Sequence, residues 1–356
     1  MGTACAWKLA ERGLDVVVLE KSVPGAEAST AAAGILGAHA EAHGPGPMAD
    51  LLLAGLERHA AWSEALAGVT GIDVEFRKSG VLRLARDATD LKRLAREASW
   101  MRAPKRRFEA VDEKALARLE PALAKAAGGV HFPTDARIDP KRLFRAVHIA
   151  AQRAGVRFVT GAIVDRVLVE NDRALGVAVE GGVDYRSPRV IVAAGSWSTH
   201  VRGAALAKDA VIPARGQILE LSTPAPLVHR VVFGPNCYLV PRDDGRVLVG
   251  STLEFVGYRR EVTAVAVRDL LTAAIALVPG LANAALVSSW SNFRPYSKDE
   301  LPIIGRSSVS GLFLATGHYR NGILLAPITA EIVSALATGE KPPVDPTPFE
   351  AARLES

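Results

Sequence analysis

Residues 1–20 constrain the fold most. Ala4, Cys5, Ala6, Leu9 and Ala10 line one side of a short helix that Gly13 would end. Val16-Val17-Val18-Leu19 is then an unbroken apolar run, which reads as a buried parallel strand, and Glu20 closes it. Helix, turn, buried strand and terminal acid form the second half of a βαβ dinucleotide-binding unit, whose acid stands about 20 positions beyond its glycines. No strand precedes Gly2, and the first two glycines of G-x-G-x-x-G are absent. Gly2 therefore matches the third glycine, which lets helix and strand pack closely. The expectation is that Met1 is an internal start and that the natural chain begins upstream.

Similar signals recur later. Asp139-Pro140 caps a helix over about 141–154, Arg189 to Gly195 is a buried strand ending in glycine, and Leu312 to Ala315 precedes a helix over 323–337. Elsewhere the pattern is meander-like. Val74 to Leu84 alternates like strands, Gly128 to Pro133 is a glycine-marked strand or loop, and Val156 to Val169 with Gly176 to Val183 looks like a strand pair. Ile218 to Leu221, Val231 to Val240, Arg246 to Gly250 and Leu286 to Phe293 are further β segments, with Asp243-Asp244-Gly245 as a hairpin turn. Helices are expected over 48–68, 91–101, 113–119 and 263–277, and the tail from Lys341 reads as irregular. The fold class is α/β: a Rossmann-like unit interleaved with a β-rich one, hence discontinuous domains side by side. A length of 356 residues suits two domains.

Composition narrows the setting. The apolar fraction of 49% and charged fraction of 23% describe a soluble globular protein, and no window approaches the ~18 apolar residues of a membrane span. Lys8, Glu11 and Arg12 interrupt any signal-peptide pattern, and Ala6 stands where myristoylation wants Ser or Thr. Cys5 and Cys237 are too few for a disulfide framework or a cysteine-based metal site. A cytoplasmic location fits. The net charge of +5 comes from scattered residues, and the densest cluster, Arg102, Lys105, Arg106 and Arg107, lacks interleaved aromatics, so a solvated surface explains it better than nucleic-acid binding.

Gly317-His318-Tyr319-Arg320-Asn321-Gly322 places polar and charged side chains between glycines, directly before the apolar run Ile323 to Pro327. Glycines admit a ligand close to the backbone, and a helix start offers free N–H groups to anything electron-rich. A plain capping turn rarely needs such a mixture, so this is a ligand site. Gly25 to Leu36 is less decided, since its small residues could line a cofactor or fill a tight helix contact.

These blocks resemble the FAD-dependent amino-acid oxidase family, of the D-amino acid oxidase and sarcosine oxidase type, over nearly the whole chain. The resemblance rests on Glu20, Gly25 to Leu36, Val211 to Gln217, Cys237 to Arg242, Phe293-Arg294-Pro295 through Asp299 with Pro302 and Gly305, and Gly317 to Pro327. It implies an FAD-binding domain of glutathione-reductase type from 1–78, 139–210 and 296–356, and an antiparallel substrate domain from 79–138 and 211–295. It implies that Glu20 holds the adenosine ribose, that Gly2, Ala28, Ser29, Ala33, Gly34, Ile35 and Gly195 lie along the cofactor, and that Val164 meets the adenine. His318, Tyr319, Arg320, Asn321, Gly322, Ile323 and Leu324 would hold the flavin edge, with His318 either in contact or packed behind. Tyr238, Arg294 and Arg320 would bind the substrate carboxylate, Arg294 as a bidentate fork, with Leu253 as an apolar wall.

The implied reaction is oxidative deamination of glycine, or of sarcosine and small D-amino acids. A hydride passes from the neutral amine's Cα to flavin N5, and O2 then yields hydrogen peroxide. No acid–base residue and no metal are named. Cys237 lies outside the setting in which related enzymes attach flavin, so FAD is expected to be non-covalent. The resemblance further implies a homotetramer, glyoxylate as the product from glycine, and a role in feeding the thiazole branch of thiamine synthesis. Two alternatives stand: a dehydrogenase passing electrons to another acceptor, and an inactive flavin-free relic.

Overall fold

The computed structural model describes residues 1–101 and 108–354. The basic cluster Arg102, Lys105, Arg106 and Arg107 lies outside the described residues.

Helix α1 (Gly2–Glu11) buries Ala4, Cys5, Ala6, Trp7 and Leu9 before β1 (Val17–Glu20), as the apolar spacing requires. A short α2 (Ala28–Ala31) and β2 (Ile35–Leu36) lead to the long α3 (Pro47–Thr70). Next come β3 (Val81–Leu84), α4 (Ala88–Ala98), β4 (Glu109–Asp112), α5 (Glu113–Leu119), β5 (Gly128–Phe132) and β6 (Ala136–Arg137). The Asp139 carboxylate accepts from the N–H groups of Lys141 and Arg142 at 2.9 and 3.0 Å and so starts α6 (Pro140–Arg153). Strands β7 (Arg157–Thr160), β8 (Val164–Glu170), β9 (Arg173–Val179), β10 (Val183–Arg186) and β11 (Val190–Val192) follow. Next in the chain are β12 (Val211–Ser222), β13 (Val231–Phe233), β14 (Tyr238–Pro241) and β15 (Arg246–Gly250), then α7 (Ala264–Leu277) and β16 (Ala285–Ser297). Strands β17 (Ile303–Arg306) and β18 (Leu312–Thr316) precede α8 (Gly322–Thr338).

The architecture is mixed α/β. Strand β1 pairs in parallel with β7, and β11 in parallel with β18, which carries antiparallel β17 on its other edge. These two pieces are not hydrogen-bonded to one another among the described residues. Helices α1, α3, α6 and α8 pack beside them in one core that includes Trp7, Leu51, Leu143, Phe313 and Leu325. The large sheet runs β16-β12-β15-β14-β13-β3-β5-β4, antiparallel throughout except for the β13–β3 pair. Its outer face packs Leu219, Leu239 and Val249 against Leu116 of α5 and Leu270 of α7.

Several expectations need correction. Val74 to Leu84 is a strand only from Val81, because Gly80 gives its N–H to the Asp135 carbonyl and Arg77 makes an isolated bridge with Arg137. Val156 to Val169 divides: β7 joins β1, while β8 forms a meander with β9 and β10. Strands β8 and β9 are paired as expected, and Asn171 and Asp172, both at positive φ, make the tight turn between them. Val231 to Val240 splits at a turn in which Gly234 donates to the Cys237 carbonyl at 2.9 Å. Strand β1 is half-buried rather than buried, since β7 covers one edge and a cavity borders the strand. The tail holds short 3-10 turns, and Phe349 is fully buried there.

Candidate active site

A cavity of about 1390 Å³ separates the α/β side from the large sheet. That exceeds the roughly 300–1,000 Å³ of ordinary small-molecule sites. Residues of both β1 and β11, which are not paired with each other, line part of it.

On the sheet side, strand register sets the chemistry. Arg294 of β16 stands opposite Ala214, and its guanidinium lies over the neighbouring Gly216 of β12. A Cβ at 216 would come within 2.3 Å of Nη1 and 2.4 Å of Nη2, so only glycine leaves room. Arg294 Nη2 donates to Ser251 Oγ at 2.5 Å, and Nη1 donates to the Thr252 carbonyl at 3.2 Å. Tyr238 of β14 faces Gly250 of β15 in the same way, since an added Cβ would sit 2.3 Å from its hydroxyl. Burial pushes the Tyr238 phenol up, while Arg294 and a hydrogen bond with Ser251 oppose that shift. The phenol is therefore a neutral donor beside a fixed guanidinium. That pair suits a carboxylate. Leu253, about half exposed, borders the cavity nearby.

On the other side stands the start of α8. Gly55 of α3 lets the two helices meet, because a Cβ there would lie 2.7 Å from the Leu324 carbonyl oxygen. His59 Nε2 donates to that carbonyl at 3.1 Å. Burial lowers the His59 pKa to about 4 and that of His318 to about 3, so both are neutral. His318 is buried with Nε2 3.1 Å from Thr329 Oγ1. Arg320 Nε lies 3.8 Å from Glu41 Oε2, and its guanidinium lies over the Tyr319 ring at 5.1 Å.

The segment 33–35 is clamped between the halves. Gly34, at φ +82°, would place a Cβ 2.0 Å from the Ile138 carbonyl oxygen, and it accepts from Ile138 N–H at 2.9 Å. Arg242 is 1% exposed, donates to the Ala33 carbonyl at 2.8 Å and lies 3.7 Å from Asp139. Burial lowers its pKa to about 10 against the pull of that carboxylate.

The cavity wall brings together Gly2, Glu20, Ala28, Ser29, Ala33, Gly34, Ile35, Val164, Gly195, His318, Tyr319, Arg320, Gly322 and Ile323 with Tyr238, Leu253 and Arg294. Asn321 and Leu324 are not in that wall. Asn321 is the N-cap of α8, and Leu324 is 1% exposed within the core. Cys237 is buried, its thiol pushed up to about 12 by burial. Sequence inspection assigns no role to Glu41, Asp135, Gly216, Gly250 and Ser251. The motif blocks covered Gly216 without its purpose, and nothing in the sequence pairs a glycine with an arginine one strand away.

The residues fit FAD. The Glu20 carboxylate borders the cavity and accepts from Ser22 N–H at 2.9 Å, which leaves acceptor capacity for ribose hydroxyls. Helix α8 begins at the wall with no side-chain cap bond, so its first N–H groups are free for an electron-rich ring. Among the described residues no group of His, Cys, Asp and Glu is placed to hold a metal ion, and no helix is long and apolar enough to cross a membrane.

The family model of FAD dependent oxidoreductases matches residues 1–336, and the chain belongs to that family. Among its relatives, glycine oxidase of Geobacillus kaustophilus is 32% identical over 99% of this chain and 94% of that protein. Its crystal structure superposes with a TM-score of 0.94 at 33% identity, covering 99% of this chain and 95% of the other. A bifunctional ThiO/ThiG protein of Synechocystis sp. is 36% identical over 96% of this chain, which spans 50% of that protein's length.

Proposed function

We propose that the protein oxidises glycine, together with sarcosine and small D-amino acids, at the cost of O2. Glycine, O2 and water give glyoxylate, ammonia and hydrogen peroxide. The observation that carries this is Arg294, laid flat over Gly216, tied to Ser251 and Thr252, and adjoining the Tyr238 phenol at the cavity wall. The glycine oxidase relatives support the same substrate class. The Arg294 fork and the Tyr238 hydroxyl bind the carboxylate, Leu253 limits the side chain, and the backbone around 33–35 and the start of α8 would hold the cofactor. When bound, FAD supplies the two-electron acceptor that O2 restores. Holding the substrate in one orientation supplies much of the rate.

Residues 1–78, 139–210 and 296–356 form the FAD-binding domain under this proposal, and 79–138 with 211–295 the substrate domain. The protein works in the cytoplasm as a homotetramer, and its product feeds the thiazole branch of thiamine synthesis. The test is peroxide release under air from FAD-loaded protein given glycine, sarcosine or D-alanine, with Arg294→Ala alongside. Peroxide from the wild type, with kcat/KM lowered roughly 10²-fold or more in the variant, is the expected outcome. Reduction of an artificial dye without peroxide would make it a dehydrogenase instead. A preparation that takes up no FAD would make it a relic.

A further inference from the structure

An acid stands at the substrate end of the cavity that no motif block includes. Residues 37–41 form a turn in which Glu41 donates its N–H to the Gly37 carbonyl at 2.9 Å. Asp135, fully buried between β5 and β6, anchors that turn. Its carboxylate accepts from the N–H groups of His39 and Ala40 at 3.1 and 2.9 Å, and lies 2.7 Å from His39 Nδ1. A turn held by those contacts presents its next side chain in a fixed direction.

Glu41 is that side chain, and it enters the cavity wall with 14% of its surface exposed. The charged and titratable groups that act on it come from every neighbouring element. Arg320 precedes α8, Arg294 is on β16, Arg83 on β3, Asp135 at the β5–β6 turn, and Tyr238 on β14 feels its charge. Burial pushes the Glu41 carboxyl up, and the guanidiniums, Arg320 foremost, oppose that. Three arginines and one carboxylate thus share the substrate end.

An amino acid brings opposite charges to such a site. Arg294 and Tyr238 satisfy its carboxylate, but Arg294 has no acceptor for an ammonium, and the neutral Tyr238 hydroxyl brings no charge to balance one. Glu41 is the acid whose charge acts on both of them. We propose that Glu41 is a catalytic residue, whose carboxylate receives the substrate ammonium and takes the proton its nitrogen sheds before the Cα–H bond breaks. In that step an N–H bond breaks and an O–H bond forms; no electrons change carrier, and the proton later passes to water. Asp135 is its positioning residue. This rests on the amino-acid oxidase function proposed above.

The test compares glycine with acetate, which has the carboxylate and lacks the ammonium. FAD-loaded wild type, Glu41→Gln and Glu41→Asp are assayed for glycine turnover and, by calorimetry, for acetate binding. The expected result is a loss of roughly 10²-fold or more in kcat/KM for glycine in Glu41→Gln, with partial recovery in Glu41→Asp. Acetate should bind Glu41→Gln as well as or more tightly than wild type, because the neutral amide no longer counters Arg294 and Arg320. Parallel loss of acetate affinity would reduce Glu41 to a structural part, and wild-type turnover in Glu41→Gln would remove its role altogether. Wild type that releases no peroxide from glycine would instead overturn the amino-acid oxidase function itself, and this role with it.

Discussion

Replacing Gly216 by alanine separates catalytic geometry from stability. The new Cβ would sit 2.3 Å from Arg294 Nη1, 2.4 Å from Nη2 and 2.6 Å from Cζ. Ordinary contact needs roughly 3.5 Å, so something must move by about 1 Å. Gly216 lies in the interior of β12, in register with Asn292 of β16, and its φ is not positive. The backbone therefore stays, and the guanidinium swings off Ser251 Oγ and the Thr252 carbonyl. A misplacement of about 1 Å at a positioning group costs on the order of 10²-fold in rate. Stability should change by only about 1 kcal/mol, because the smaller chain-entropy loss of alanine offsets part of the two hydrogen bonds given up. The assays are kcat/KM for glycine by peroxide release, and urea unfolding of the same preparation. A variant with wild-type kcat/KM would show that the Arg294 position does not set the rate. One that lost activity only in step with its folded fraction would refute the division between site and scaffold.

Other consequences follow from the same contacts. His59 and His318 are neutral when folded, with pKa values of about 4 and about 3, whereas an unfolded histidine titrates near ~6.5. Their contribution is complete above ~6.5 and shrinks by ~1.4 kcal/mol per pH unit for each group as pH falls toward 4, so His59→Gln should flatten the acid slope of urea-unfolding stability, and an unchanged slope would contradict this. Gly55→Ala gains helix propensity of about 1 kcal/mol, yet it drives a Cβ to 2.7 Å from the Leu324 carbonyl oxygen and shifts α8's start. Flavin retained per chain after desalting should drop, and full retention would count against that packing. Asp139→Ala removes the α6 cap and the carboxylate facing buried Arg242, and should cost about 3 kcal/mol or more in urea unfolding, against less for Asp139→Asn, which can still cap. Equal losses in the two variants would place the cost elsewhere.

Local chemistry was decided by the sequence. The Ala4 to Ala10 spacing, the Val17 to Glu20 run and the Asp139-Pro140 cap lie in α1, β1 and α6 because their causes act within a few residues. Val231 to Val240 and Val156 to Val169 were misjudged, since apolar periodicity alone does not mark the turns that divide them. Much of the cavity wall was legible for the same reason as the helices: small residues and glycines before a helix start are consecutive in the chain. Tertiary structure alone decided the rest. Arg294 and Gly216 are 78 positions apart and meet only because β12 and β16 are neighbours in antiparallel register. Asp135 reaches the 37–41 turn across more than 90 residues, and so aims Glu41 at the arginines. A side chain's direction toward a distant partner depends on strand pairing and packing, which the order of residues encodes only through the whole fold.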